Sequence, residues 1–116
     1  MKTLGIFVKP AGTVVTLKAS NVSAAVVTYV VFVHAWTDLG KKPIATWHPD
    51  VLEGSGGTLV LESYRGYDII LKALVNADAS IDADLAFDGV SQFTDTVDLP
   101  LAEGPVVVRE WSIVVR

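Results

Sequence analysis

Short runs rich in Val, Ile, Thr, Phe and Tyr recur along this chain, and each run is bounded by Gly, Pro, Asn, Asp or Ser. β-Branched and aromatic residues favour strands, whereas the bounding residues favour turns. This pattern limits the fold to one built from many short strands, of which we count about eight or nine. The predicted strands span residues 4–9, 13–19, 24–36, 43–48, 58–63, 67–76, 80–87, 91–98 and 106–115.

The length of 116 residues is close to the commonest domain size, so we expect residues 1–116 to form a single domain. Many short strands separated by turns predict an all-β fold, here an antiparallel β-sandwich of the jelly-roll or immunoglobulin-like kind. Turn residues separate 4–9 from 13–19 and 24–36 from 43–48, so we expect each of these pairs to lie side by side. No residue pattern ties the chain to a named family.

Residues 67–76 leave an alternative open. The i, i+3, i+4 spacing of a helix face is followed by Tyr67, Ile70, Leu71, Leu74 and Val75, and the segment contains good helix formers. If this helix forms, the fold is α+β with one helix packed against the sheet.

The run from Ala24 to Trp36 is apolar on both of its faces when its residues are divided by alternation. Such a strand is either covered on both sides within the fold or lies at a subunit contact. The low charge content, 19% against 51% apolar residues, also favours a chain with part of its surface covered by another subunit.

The charge distribution disfavours nucleic acid as a partner. Residues 59–116 carry a net charge of −6, and seven acids but no Lys or Arg lie between Lys72 and Arg109. Such a segment repels phosphate. The chain has no cysteine, which excludes disulfides and thiolate metal sites.

No membrane partner is expected, because no apolar run reaches the ~18 residues of a membrane helix. The apolar stretch 4–8 ends at Lys9-Pro10, before a signal-peptide core of about 7 residues is complete. The expected location is therefore the cytoplasm or a larger assembly, and the sequence does not fix the compartment.

The segment 80–89 alternates apolar residues with the acids Asp82, Asp84 and Asp88. Clustered carboxylates are the ligands that calcium prefers, so these three residues are the candidate metal site and calcium the candidate cofactor. Same-face residues of a strand are about 6.6 Å apart, so one ion would also need carboxylates from a neighbouring strand, with Asp95 or Asp98 the candidates. A solvent-exposed strand face is the simpler interpretation.

Tyr64, Arg65, Tyr67 and Asp68 form the candidate ligand-binding group. A predicted turn flanked by two tyrosines, with Arg and Asp beside it, has the composition of a recognition loop. Aromatic rings could stack on the faces of sugar rings. This group predicts a carbohydrate-binding site, provided that the side chains are exposed in one concave patch.

Catalytic motifs are not evident. His34 and His48 are predicted to lie too far apart on a hairpin to share a metal ion, and no Gly-x-Ser-x-Gly elbow is present. An enzyme would need groups that only folding brings together, such as His48 with Asp50 or Glu53.

The first functional hypothesis is therefore a non-enzymatic structural or interaction domain that self-assembles or docks into a larger assembly, with a homo-oligomer or other protein as partner. The second is a carbohydrate-binding module assisted by calcium. The third is a small β-barrel that closes around a ligand.

Overall fold

A computed structural model of the chain describes residues 2–47 and 57–116. In these residues the chain forms nine strands and one short 3-10 turn, Leu101–Glu103. The strands are β1 (Lys2–Lys9), β2 (Val14–Ser20), β3 (Val26–Thr37), β4 (Gly40–Trp47), β5 (Gly57–Val60), β6 (Gly66–Val75), β7 (Ala79–Phe87), β8 (Val90–Leu99) and β9 (Val106–Val115).

The strands form two sheets that pack face to face. One sheet has five strands in the order β1-β9-β6-β3-β4, and the other has four in the order β5-β2-β7-β8. All of the pairs are antiparallel except β1 with β9, which is parallel. The predicted β-sandwich is confirmed. The described strands lie in two separate sheets and not in one closed barrel, so the third hypothesis loses the architecture on which it rested.

The core lies between the sheets and is filled by alternate residues of most strands. In β3, Tyr29, Val31, Val33 and Ala35 point inward, and the intervening side chains point out of the sheet. The largest fully buried side chains include Trp111, Tyr67, Leu17, Leu61, Ile69 and Leu85. Strand alternation therefore gives each sheet one buried face and one outer face.

Residues 66–75 form a strand, so the α+β alternative is wrong. β6 lies between β3 and β9, and both neighbours supply it with a full ladder of hydrogen-bonded partners. Tyr67, Ile69 and Leu71 point into the core, whereas Ile70 and Leu74 point outward. The apolar residues on both faces of this strand matched helical spacing by coincidence, and sheet pairing outweighed the helix propensity.

β1 and β2 are not neighbours, which corrects the pairing expected for the first two strands. Residues 10–12 reverse the chain and carry it from the five-stranded sheet to the four-stranded one. β1 then pairs with β9, more than one hundred residues away in sequence, and Phe7 packs against Phe87 at a ring distance of 5.1 Å. Turn residues predict a reversal of the chain, but they do not specify which sheet the next strand joins.

The hairpin predicted after Trp36 is confirmed. β3 and β4 are antiparallel, and Gly40 adopts the positive φ of 114° that the turn requires. A bulge next to Val33 sets His34 opposite Pro43. No helix in the described residues is long and apolar enough to cross a membrane.

Candidate functional site

The two outer faces of the sandwich carry opposite kinds of side chain. We call the outer face of the five-stranded sheet the apolar face and that of the four-stranded sheet the polar face. The apolar face presents Ile6, Val8, Val30, Phe32, Ile70, Leu74, Val106, Val108 and Val114. The polar face presents Thr16, Lys18, Ser20, Thr58, Ser80, Asp82, Asp84, Thr94, Thr96 and Asp98, with Val14, Val60 and Ala86 towards one end.

The apolar face leaves large hydrophobic side chains in contact with solvent. Ile6 is 69% exposed, Val106 44% and Leu74 39%. A shallow groove of about 310 Å³ runs between β3 and β6, and Val30, Phe32 and Leu74 are among its lining residues. Contiguous apolar surface of this kind marks a contact site more often than does a scattered exposed residue.

Two lysines and two acids are set among these apolar residues. Lys41 and Asp68 form an ion pair, with 2.6 Å between Nζ and Oδ2. Lys72 is exposed and faces Val30 on one neighbouring strand and Val108 on the other. Glu110 accepts a hydrogen bond of 2.9 Å from the Thr3 hydroxyl, and its charge also raises the pKa of Lys41, but no described cation lies within ion-pair distance of it.

Asp68 is buried although it lies on an outer face. Its side chain is 2% exposed, and its Oδ1 accepts a hydrogen bond of 3.1 Å from the Ser112 hydroxyl. The hydrogen bond to Asp68 raises the pKa of Lys41, against an opposing effect of burial. Lys41 also lies over the Trp36 ring at 5.5 Å. The lysine thus covers the carboxylate and neutralises it.

The carboxylates of Asp82 and Asp84 on the polar face are only half-buried. Asp82 accepts hydrogen bonds from the Thr96 hydroxyl at 2.6 Å and from the side-chain amide of Asn21 at 2.7 Å. These two bonds lower the pKa of Asp82. Asp84 has only a long contact of 3.4 Å with the Thr94 hydroxyl. A shallow groove of about 480 Å³ follows this row between β7 and β8.

The three acids of the candidate calcium site do not gather around one point. Asp82 and Asp84 lie on the face of β7, whereas Asp88 lies in the β7–β8 turn and accepts a hydrogen bond of 2.9 Å from the Val14 amide. Asp95 accepts one from the Thr96 amide. Residues 2–47 and 57–116 hold no group of three His, Cys, Asp or Glu residues placed to share a metal ion. Calcium binding stays an untested prediction.

The candidate recognition loop does not form a single exposed patch. Tyr67 is fully buried, and its hydroxyl accepts a hydrogen bond of 2.7 Å from the Glu62 amide. Tyr64 packs edge-on against it at 5.8 Å. Arg65 is exposed and pairs with Asp38 at 2.7 Å, while Asp68 lies beneath Lys41. Tyr67 therefore cannot stack on a ligand, which corrects the role predicted for it.

The different placements of Tyr67 and Asp68 follow from the alternation of side chains along β6. Tyr67 and Asp68 are successive residues of one strand, so one side chain points into the core and the other onto the apolar face. The turn that precedes β6 is shorter than predicted, because β6 already begins at Gly66.

His34 faces Asp68 across β3 and β6. His48, Asp50 and Glu53, which were the candidate catalytic partners, lie outside the described residues.

The sequence analysis missed an ion pair between the buried Arg109 and the exposed Glu103. Arg109 points into the core side of β9 and binds the Glu103 carboxylate through two hydrogen bonds of 2.6 and 3.0 Å. Arg109 holds the pKa of Glu103 below its ordinary value. The signal for Arg109 was its place among inward residues of an alternating strand, and its role here is to close the end of the core.

The fold and surfaces define the class of this protein as a β-sandwich with one apolar and one polar outer face. No family model, curated protein or solved structure matches the chain.

Proposed function

We propose that this chain is a non-enzymatic association domain that self-assembles through its apolar face. The observation that carries the proposal is the row of nine apolar side chains drawn from β1, β3, β6 and β9 onto one outer sheet surface. Burying such side chains against a second apolar surface is favourable by about 25 cal/mol for each Å² removed from water. The partner is a second copy of the chain.

The size of the face supports a pairwise contact. Five strands about 4.8 Å apart, each with about eight residues at a rise of 3.3 Å, outline a footprint on the order of 600 Å². Specific interfaces bury about 800 Å² of accessible surface on each partner. Side-chain relief raises accessible area above the flat footprint, so the two values are comparable. Two such sheets could pack at the usual separation of about 10 Å.

The charge pattern supports a second copy over an unrelated partner. The apolar face carries one lysine and one acid, Lys72 and Glu110, that form no ion pair with each other in the described chain. The face therefore has a positive and a negative charge with which to complement a second copy of itself. A contact between identical surfaces requires this self-complementarity.

The test is the solution mass of the wild-type chain and of surface variants, measured by light scattering coupled to size exclusion. We expect a wild-type dimer at micromolar concentration and a monomer for Phe32→Asp, which places a carboxylate among the hydrophobic side chains of the apolar face. Thr16→Asp is the matched control, because Thr16 is also half-buried on an outer face but belongs to the polar face. It should remain a dimer.

Leu74→Asp guards against misfolding of Phe32→Asp, since Leu74 is more exposed. Circular dichroism and thermal unfolding establish that each variant is folded. A monomeric wild-type chain, or a folded and dimeric Leu74→Asp, would overturn the proposal.

Carbohydrate binding is a second candidate, and the polar groove favours it. With Tyr67 buried, the hydroxyls and carboxylates of that groove are the surface suited to bind sugar hydroxyl groups, and Asp84 has spare hydrogen-bonding capacity. Titration of an oligosaccharide panel by calorimetry, with calcium and again with a chelator, tests this candidate. Asp84→Asn should weaken any binding, and Asp88→Asn, in the turn, should not.

A further inference from the structure

Lys72 is a charged residue surrounded by hydrophobic side chains on the surface that is proposed to self-assemble. Its neighbours on the apolar face are Val30 and Val108 across the strands and Ile70 and Leu74 along β6. Burying an ammonium group in such surroundings without a partner is strongly unfavourable, because the charge loses its hydration. If this face is covered, as the proposed function requires, Lys72 needs an acid within reach.

Elimination leaves one acid on the apolar face for Lys72. The acids described there are Asp68 and Glu110, and Asp68 is already paired with Lys41. Glu110 lies opposite Ile70, so it is a diagonal neighbour of Lys72 on the next strand, about 7 to 8 Å away. No ion pair joins the two side chains within the described chain.

A two-fold axis between these positions satisfies both charges at once. In an isologous contact, residue i of one copy meets residue j of the other, and j meets i. An axis that lies along the interface midway between Lys72 and Glu110 therefore sets each lysine against the glutamate of the partner copy. A face-to-face contact without this register leaves up to four charges unpaired in an apolar interface.

We propose that Lys72 and Glu110 form a reciprocal pair of intermolecular ion pairs that sets the register of the dimer. The inference rests on the proposed function, because it assumes that the apolar face is covered by a second copy. It adds the orientation of that copy and the residues that select it.

The test uses charge reversal followed by mixing. Lys72→Glu gives a face with two acids, and Glu110→Lys gives a face with two lysines. Each variant alone places like charges opposite each other, so we expect its dimer to weaken by on the order of 100-fold. Mixed in equal amounts, with an affinity tag on one variant, the two should form a heterodimer. The variant K72E/E110K should dimerise with itself again.

Lys18 and Asp84 provide the matched control. They lie opposite each other on β2 and β7 of the polar face, so Lys18→Glu and Asp84→Lys make the same charge changes away from the proposed interface. Both control variants should keep the wild-type dimer.

The outcomes separate the two proposals. Folded single variants that remain dimers, or single variants that are monomeric alone and in the mixture, overturn the reciprocal pairing and leave self-assembly standing if Leu74→Asp is monomeric. A monomeric wild-type chain overturns self-assembly itself. Heterodimer formation supports both, since a Lys72–Glu110 pair within one copy gives the mixture no reason to associate.

Discussion

The two outer faces of this sandwich are built from the same backbone geometry, yet an aspartate on one face has a very different environment from an aspartate on the other. On the polar face, Asp82 is only half-buried and accepts hydrogen bonds from the neutral side chains of Thr96 and Asn21. On the apolar face, Asp68 is buried and held by a lysine and by Ser112. Water solvates the first carboxylate, so neutral donors suffice, whereas the second has little water and requires a cation.

The difference also sets what each face tolerates. A hydrated face accepts a new charge at small cost, because water stabilises it. On the apolar face a new charge would lie among hydrophobic side chains, which solvate it poorly. Variants on the two faces test this contrast.

Gly66→Ala tests the packing on the apolar side of β6. A methyl group at Gly66 would collide with the main-chain carbonyl of Ile113, and Trp36 is also close. We expect a loss of about 3 kcal/mol in the free energy of unfolding, measured by urea denaturation. Gly5→Ala is the control, because its methyl group would meet the movable ring of Phe7. A loss for Gly66→Ala as small as that expected for Gly5→Ala would mean that the backbone around Gly66 shifts to admit the methyl group.

Lys41→Met tests the neutralisation of Asp68. The variant keeps an apolar side chain over the carboxylate but removes its cation, which should cost about 2 kcal/mol. Water limits the loss, because the lysine side chain is 57% exposed. The neighbouring Lys42→Met should change the unfolding free energy little, since Lys42 is exposed and has no described ion-pair partner. A loss of similar size at both positions would show that charge count, and not Asp68, is responsible.

The contributions of Lys41 on the apolar face and Asp82 on the polar face to stability should be lost at opposite ends of the pH scale. The pKa of Lys41 is raised in the folded state, so its contribution is full below the ordinary lysine value and is lost as pH rises through the raised pKa. The pKa of Asp82 is lowered, so its contribution is full above the ordinary aspartate value and is lost as pH falls through the lowered pKa.

Thermal unfolding across pH checks this assignment. Lys41→Met should approach the wild-type stability at the alkaline end, where Lys41 loses its proton, and Asp82→Asn should approach it at the acid end, where Asp82 gains one. Variants whose deficits stay constant across the whole range would contradict it.

Thr96→Val is expected to have the smallest effect on stability and a clear effect on one titration. It removes the hydroxyl that donates the 2.6 Å hydrogen bond to Asp82, so the pKa of Asp82 should rise towards its ordinary value. Carboxyl resonances followed by nuclear magnetic resonance would report the shift. Thr94→Val removes only the 3.4 Å contact with Asp84 and should leave Asp82 unchanged.

The class of fold, most strand positions and the β3–β4 turn were predictable from the amino-acid sequence. These features depend on local preferences, namely β-branched residues in strands and glycine at positive φ, and such preferences act over a few residues. Inward and outward residues of β3 and β7 were also predictable, because alternation is a property of the strand alone.

Other features depend on contacts between segments that are distant in sequence. The parallel pairing of β1 with β9, the choice of strand over helix at 66–75, and the burial of Tyr67 and Asp68 all depend on which strands become neighbours. The apolar face is the clearest case, because its residues come from four strands that are far apart in sequence. No local pattern reveals that they share one surface, since strand order is set by the burial of the whole core at once.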